Sequence, residues 1–167
     1  MNVKKIYRTI LISTVLLSNI GCDQISKNIV RNRMEYHEQL GFLNNHLTLT
    51  KVENTGAFLS IGHSLPKLLK TTLLTIIPLI FLAIAFGYIA TRKDLSNFTV
   101  VGACFVVGGG IGNIYDRILY GSVTDFLHID FGLFQTGIFN MADVSILVGV
   151  FTILLHTYLD RKTSIRS

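Results

Sequence analysis

Four aspartates that border apolar segments are the residues of this chain best suited to chemistry: Asp23, Asp116, Asp125 and Asp143. Ionisable side chains near membrane depth are costly, so each is a candidate functional residue. Two carboxylates held close together cannot both ionise cheaply, and one of them keeps a proton at neutral pH. Such a pair can activate water with its ionised member and protonate a carbonyl or a leaving amine with the other.

Which two aspartates form such a pair depends on their neighbours. Asp116 is followed directly by Arg117, so a structural ion pair is the favoured interpretation for it. Asp125 has no adjacent base and lies between apolar residues. Asp143 stands at a predicted helix start, where helix capping is the alternative role. These environments favour Asp125 with Asp143, and they leave Asp116 with Asp143 open.

The bulk composition indicates a membrane protein. Of the 167 residues, 50% are hydrophobic and 15% are charged, and the mean hydropathy is +0.51. A soluble domain would carry about a quarter charged residues. The net charge of +5 could suggest nucleic-acid binding, but the bases flank apolar runs instead of forming a dense stripe. We therefore expect one membrane domain, residues 1–167, with no nucleic-acid partner.

Apolar runs predict four membrane-spanning helices, since a bilayer core needs about 20 apolar residues per helix. Residues 71–90 and 95–115 contain no charge, and residues 141–159 contain only Asp143 and His156 among ionisable groups other than tyrosine. The first run, residues 9–22, is shorter and spans only if its helix continues through Asp23. The predicted helices cover residues 6–30, 68–90, 95–115 and 141–159, separated by polar segments 31–67 and 116–140.

The first apolar run has a rival interpretation as a cleaved signal peptide. Bases precede it, and residues 19–22 resemble a lipoprotein cleavage box ending at Cys22, in which Asn19 fits poorly. We expect an uncleaved helix, because a cleaved lipoprotein seldom carries three further spans. Cys22 and Cys104 both lie in apolar stretches and are expected to be small buried hydrophobes, not a disulfide.

Basic residues predict the orientation. With the N-terminus inside, the short cytoplasmic pieces hold Lys4, Lys5, Arg8, Arg92, Lys93, Arg161, Lys162 and Arg166. Both termini are then cytoplasmic, and Asp116, Asp125 and Asp143 meet at the outer face. Residues 46–52 alternate like a half-buried strand, which predicts a small sheet on the outer membrane surface.

Two further features have structural explanations. Asp23 and Lys27 are four residues apart on one helix face and could simply neutralise each other. Glycines at 108, 109, 110 and 112 suit close helix packing. The Lys and Ser or Thr that a phosphate-binding loop needs after its glycines are missing.

Five short motifs together resemble the lipoprotein signal peptidases, also called signal peptidase II. They occupy residues 23–27 (DQISK), 54–57 (NTGA), 109–117 (GGIGNIYDR), 123–126 (VTDF) and 139–143 (FNMAD). Each motif is weak alone, but all five occur in family order and with family-like spacing over nearly the whole chain.

The resemblance implies a membrane all-α bundle of four transmembrane helices with a small extracytoplasmic β-sheet, in the bacterial cytoplasmic (inner) membrane. It implies an aspartic endopeptidase that cleaves diacylglyceryl-modified prolipoproteins just before the lipidated cysteine. Asp125 and Asp143 match the catalytic pair. The substrate-binding or site-shaping positions match Asp23, Lys27, Asn54, Gly56, Asn113, Asp116, Arg117, Asn140 and Ala142. The expected partners are prolipoprotein and membrane lipid, with a monomeric enzyme and neither cofactor nor metal.

Three positions depart from the family pattern. The family usually has alanine where Phe58 stands, and often valine and serine where Thr124 and Val144 stand. These changes flank the expected acids, so they leave the substrate preference open.

Three other functions remain as alternatives. A metalloprotease could use Asp125, His128 and Asp130 as ligands, although the zincin motif is missing. A proton-coupled transporter could relay protons through Asp143 and Asp116, although no internal repeat is visible. An inactive homologue could serve as a binding module.

Overall fold

The computed structural model of the chain describes residues 3–36, 38–56 and 65–166, and within these it contains four long helices and one small sheet. The helices are α1 (Val3–Arg33), α2 (Lys67–Thr91), α3 (Asn97–Tyr120) and α4 (Met141–Arg166). Phe58, one of the departures from the family pattern, lies outside the described residues.

Three of these helices, α2, α3 and Met141–Lys162 of α4, are long and apolar enough to cross a membrane. The 31-residue helix α1 does not meet that criterion among the described residues, because its apolar part lies between Arg8 and Asp23. It nevertheless runs unbroken through Cys22 and Asp23. Its length of about 46 Å, at 1.5 Å per residue, exceeds the thickness of a bilayer core.

Helix α2 contains one π turn, Thr72–Ile76, directly before Ile77–Thr91. Pro78 explains its position, because proline lacks the backbone N–H and its ring clashes with the carbonyl four residues earlier. Widening the preceding turn relieves that clash. The predicted apolar span contained this proline, but its pattern did not predict the π turn.

The sheet has three antiparallel strands in the order β1 (Gln39–Phe42), β2 (Leu47–Asn54) and β3 (Val123–Ile129). Strand β2 pairs with β3 from Leu47 opposite Ile129 to Asn54 opposite Val123, with a register shift between Leu49 and Val52. The strand predicted over residues 46–52 thus extends to Asn54. The extension to Asn54 brings the end of β2 beside Asp125 of β3.

Two glycines of α3 allow neighbouring helices to approach closely. A Cβ at Gly112 would collide with the Asp23 carboxylate of α1, and a Cβ at Gly109 would collide with the Ala142 carbonyl of α4. Close approach by small residues is a common device of membrane helix packing. It brings the polar end of α1 and the first turn of α4 against α3.

Two apolar clusters pack the helices and the sheet together within the described part of the chain. Ile12, Ile89, Val100 and Cys104 join α1, α2 and α3, while Val30 and Met34 pack against Phe126 of β3. The second cluster fixes the sheet to the C-terminal end of α1. The two cysteines are both free, but the expectation that both are buried is wrong for Cys22, which is exposed on α1.

Candidate active site

Asp125 projects from β3 into a buried site, with 4% of its surface exposed. Its Oδ2 accepts a hydrogen bond from Asn54 Nδ2 at 2.9 Å, and its Oδ1 accepts one from Asn140 Nδ2 at 2.6 Å. Asn54 lies on the neighbouring strand and shares a face with Asp125, since Val52 pairs directly with Asp125. Both carboxylate oxygens are therefore held by neutral amides.

Asp143 lies in the first turn of α4, where it forms a reciprocal cap with Asn140. The Asp143 backbone N donates to Asn140 Oδ1 at 3.0 Å, and the Asn140 backbone N donates to Asp143 Oδ2 at 3.1 Å. This arrangement satisfies two backbone donors of the helix start, as a capping box does. The capping role considered for Asp143 is therefore present, and it fixes the carboxylate that the pair would use.

Asn140 connects the two carboxylates. Its side-chain amide donates to Asp125, and its backbone amide donates to Asp143. Asn113 of α3 donates through Nδ2 to Asp143 Oδ1 at 2.9 Å. Its Oδ1 accepts from Asn140 Nδ2 at 3.2 Å and from Lys27 Nζ at 2.9 Å. Asp125 and Asp143 thus belong to one hydrogen-bonded network.

The surroundings of Asp125 make its carboxyl a weaker acid than usual. The pKa of this carboxyl is raised from 3.8 to about 6, chiefly by burial. The hydrogen bond from Asn54 lowers the pKa, and the negative charge of Asp143 raises it. Two nearby carboxylates in such surroundings can divide the roles of acid and base.

Arg117 and Gly56 form one wall of the site. The Gly56 backbone N donates to Asn54 Oδ1 at 2.9 Å, which leaves the amide of Asn54 facing Asp125. Arg117 Nη2 donates to the Gly56 carbonyl at 3.2 Å. The guanidinium also interacts electrostatically with Asp125 and Asp143.

Asp116 forms ion pairs with α1, and the expected pairing with adjacent Arg117 is wrong. Its Oδ2 lies 3.2 Å from Lys27 Nζ and 2.8 Å from Arg31 Nη2. Consecutive helical residues point about 100° apart. Arg117 donates to the Gly56 carbonyl and interacts with Asp116 only electrostatically, while Lys27 and Arg31 of α1 reach the Asp116 carboxylate. The structural ion pair expected for Asp116 is present, with different partners.

Asp23 completes this ion-pair cluster. Its Oδ2 lies 2.8 Å from Lys27 Nζ, as the four-residue spacing predicted. Its Oδ1 accepts a hydrogen bond from the Ala142 backbone N at 2.9 Å, which ties α1 to the start of α4. Asp23, Lys27 and Asp116 have no exposed side-chain surface.

Gln24, Arg31 and Glu53 join the site but were missed as site residues in the sequence. Gln24 Nε2 donates to Asp23 Oδ2 at 3.0 Å and to Asp116 Oδ1 at 3.1 Å. Arg31 follows Lys27 by four residues and therefore lies on the same helix face, a spacing that could have identified it. Glu53 accepts a hydrogen bond from Thr124 Oγ1 at 2.8 Å. The sequence held no comparable signal for this residue, because the contact depends on the pairing of β2 with β3.

The residues of the metalloprotease alternative do not come together. His128 and Asp130 line a cavity of about 590 Å³ with Thr48 and Thr50, whereas Asp125 lies in the asparagine network. Within residues 3–36, 38–56 and 65–166, no group of three or more His, Cys, Asp or Glu side chains is arranged to hold a metal ion. The Asp116 of the transporter alternative is held by two cations.

The fold is that of a helical membrane protein, in which Asp125 and Asp143 share one buried hydrogen-bonded network. Residues 15–159 match the family model described as signal peptidase (SPase) II. The chain belongs to the signal peptidase II family, whose members are peptidases that remove signal peptides from prolipoproteins.

Relatives and solved structures agree with this assignment. A lipoprotein signal peptidase of Aquifex aeolicus is 33% identical over 151 residues, which cover 90% of this chain and 84% of that protein. One of Streptococcus pneumoniae is 31% identical over 145 residues, covering 87% and 90%. A solved bacterial membrane enzyme, at 2.3 Å resolution, superposes with a TM-score of 0.79 at 27% identity, covering 91% of this chain and 90% of its own.

Proposed function

We propose that this chain cleaves the signal peptide from diacylglyceryl-modified prolipoproteins, immediately before the lipidated cysteine, with Asp125 and Asp143 as the catalytic pair. The observation that carries the assignment of the pair is their shared partner Asn140, which donates to one carboxylate through its side chain and to the other through its backbone. Both acids also match the family motifs at residues 123–126 and 139–143.

In the proposed reaction Asp125 is the acid and Asp143 is the base. Asp143 takes a proton from a water molecule while the water oxygen bonds to the scissile carbonyl carbon. Asp125 protonates the carbonyl oxygen in the same step. The tetrahedral diol then collapses: Asp143 gives its proton to the leaving nitrogen, the C–N bond breaks, and Asp125 recovers the hydroxyl proton. The raised pKa of Asp125, about 6, supports its role as the acid.

The substrate is expected to enter from the bilayer as a helix and to unwind at the pair. Proteolysis needs an extended peptide, and irregular backbone at membrane depth must be shielded by protein or water. We expect strands β2 and β3 and residues 131–138 to supply that shield. Their continuity with Asn54, Asp125 and Asn140 supports this expectation. The acyl chains of the substrate would remain in lipid. We expect the enzyme to act as a monomer.

We also propose that the pair faces outward from the cytoplasmic membrane, with α1 as a fourth span and both termini inside. Asp116 and Asp143 lie at the end of α3 and the start of α4, while Arg92 and Lys93 lie in the loop at the opposite end of α2 and α3. Basic loops favour the cytoplasmic side.

The sheet is proposed to rest on the lipid surface. Leu43 at the β1–β2 turn is 75% exposed, and Leu133 and Phe134 in the loop after β3 are 107% and 64% exposed. Large exposed apolar side chains in neighbouring loops are typical of an interaction surface, which we take to be the membrane.

Thiol labelling tests the orientation. In a variant with Cys22 and Cys104 replaced by alanine, Glu38→Cys should react in intact cells with a membrane-impermeant reagent. Lys93→Cys, the control at the opposite end, should react only after the cells are permeabilised. The reverse pattern would invert the proposed topology.

The function is tested with purified protein and a prolipoprotein in two forms, one carrying the diacylglyceryl group and one lacking it. Mass spectrometry of the products should show cleavage directly before the modified cysteine in the first form only. Equal cleavage of both forms would contradict the proposed substrate class, and cleavage elsewhere would contradict the proposed site of hydrolysis.

A further inference from the structure

Thr124 lies one residue before Asp125 and is fully buried, on the opposite face of β3. Its hydroxyl Oγ1 accepts a hydrogen bond from Arg31 Nε at 2.8 Å and donates one to Glu53 Oε1 at 2.8 Å. Its backbone N donates to Asp116 Oδ2 at 3.3 Å. Thr124 is therefore held from α1, from β2 and from α3 at once.

The direction of this chain of hydrogen bonds is fixed by the groups at its ends. A guanidinium N–H can only donate and a carboxylate can only accept, so the proton of the Thr124 hydroxyl must point to Glu53. Arg31 is anchored behind by its ion pair with Asp116 at 2.8 Å. Glu53 is anchored by Ser122, whose Oγ donates to Glu53 Oε2 at 2.6 Å.

The hydrogen bonds of Arg31, Thr124 and Glu53 lie next to the register shift between β2 and β3. Glu53 pairs directly with Thr124 across the β2–β3 ladder, beyond the register shift between Leu49 and Val52. A slip of one residue would turn every side chain of the strand to the other face. Asp125 would then lose its contacts with Asn54 and Asn140.

We propose that Arg31, Thr124 and Glu53 are positioning residues that fix β3 in the register that holds Asp125 against Asn54 and Asn140. The inference rests on the proposed function, because it assumes that Asp125 is catalytic. It gives a physical reason for threonine at a position where the family often has valine. In this chain a valine would leave Arg31 Nε and Glu53 Oε1, both partly buried, without their shared hydroxyl, and polar groups withdrawn from water need such partners.

The test compares Thr124→Val with Thr124→Ser on the lipidated prolipoprotein, at equal amounts of folded enzyme. Loss of the hydroxyl should displace Asp125, so Thr124→Val should lower kcat by about 10- to 100-fold, and KM should stay within about threefold because substrate contacts are untouched. Thr124→Ser keeps the hydroxyl and should retain kcat within about threefold of the parent. Thr157→Val, the same change at an exposed threonine of α4, is the matched control and should alter neither constant.

Each outcome decides the proposal. Unchanged kcat in Thr124→Val would overturn it, and so would equal losses in the valine and serine variants, which would point to packing of the threonine methyl group. If Thr124→Val does not fold, Glu53→Ala takes its place. This change removes the acceptor of both Ser122 and Thr124, so kcat should fall at unchanged KM, and a parental kcat would overturn the proposal.

The proposed function fails separately. Cleavage by Asp125→Asn would contradict the catalytic pair. An inactive Asp125→Asn together with a fully active Thr124→Val would contradict the positioning network alone.

Discussion

Two pairs of aspartates meet at the same end of the helices, and their partners differ in charge. Asp23 and Asp116 are held by the cations Lys27 and Arg31 at 2.8–3.2 Å. Asp125 and Asp143 receive their hydrogen bonds from neutral amides of Asn54, Asn113 and Asn140. The residue type is the same in both pairs, so the neighbours determine what each pair can do.

A contacting cation stabilises the charged form of a buried carboxylate, which suits such a carboxylate to holding helices together. An amide donor satisfies the carboxylate without fixing its charge. Lys27 joins the two pairs, because it contacts Asp23 and Asp116 and also donates to Asn113 Oδ1 at 2.9 Å. That contact turns the Nδ2 of Asn113 toward Asp143. The ionic cluster therefore supports the amide-bound pair.

The largest effect is expected from an Asp→Asn change in the amide-bound pair. Asp125→Asn and Asp143→Asn should each lower kcat on the lipidated prolipoprotein by on the order of 10⁴-fold or more, because an amide cannot cycle a proton with its partner. The double variant should be hardly worse than either single one, since the two residues act as a unit. Processing is measured by the mass shift of the substrate.

The same variants should remain folded. Asp125→Asn removes the cost of burying a charge. It also points an amide NH2 group at the NH2 group of Asn54 or Asn140 and so loses a hydrogen bond. Because the two effects oppose each other, the free energy of unfolding should change by less than about 2 kcal/mol. Denaturation in detergent measures it. An inactive variant that has also lost several kcal/mol of stability would assign Asp125 a structural role instead.

An Asp→Asn change in the ionic pair should have the opposite profile. Asp116→Asn removes a buried counter-charge from Lys27 and Arg31, so the free energy of unfolding should fall by about 3 kcal/mol. Turnover per folded molecule should stay within about tenfold, because Asp116 does not contact the proposed reacting atoms. Denaturant midpoints and kcat are compared on the same preparations.

Asp94→Asn provides the matched control for stability. Asp94 pairs with Arg92 at 4.0 Å, and both side chains are more than half exposed, so the change should stay within about 0.5 kcal/mol. If Asp116→Asn is instead stable but inactive, while Asp125→Asn still cleaves, the catalytic pair is Asp116 with Asp143.

The sequence was informative where a pattern is local. Apolar runs predicted the helices, alternation predicted most of β2, and four-residue spacing predicted the contact of Asp23 with Lys27. The sequence also predicted that Asp116, Asp125 and Asp143 lie at one end of the bundle, because this follows from the order of the helices.

Contacts between distant elements could not be predicted in the same way. Arg117 was expected to neutralise Asp116 because it is adjacent in sequence, whereas Arg31 does so because α1 packs against α3. The double use of Asn140, through side chain and backbone, depends on where β3 lies relative to α4. Glu53 meets Thr124 only through the strand register after an irregularity that no local pattern specifies.

The smallest expected effect is a shift in the pH dependence of kcat/KM when an amide partner of Asp125 is removed. The proposed mechanism needs a proton on Asp125, whose pKa is raised to about 6, so kcat/KM should fall as the pH rises through that region. The hydrogen bond from Asn54 stabilises the ionised form and lowers this pKa. Asn54→Ala removes that bond, and the alkaline limb of the kcat/KM profile should therefore move to higher pH.

The sign of this shift tests whether the titrating acid is the carboxylate to which Asn54 donates. Removing Asn54 withdraws a donor from the ionised carboxylate, so the proton is held more tightly and the active form persists to higher pH. Asn32→Ala, which removes an exposed hydrogen bond to Asn28, is the matched control and should leave the profile in place. The apparent pKa belongs to the coupled pair, so the comparison rests on its displacement between variants. A limb that stays in place in Asn54→Ala, or moves to lower pH, would show that the titrating acid is not the carboxylate to which Asn54 donates.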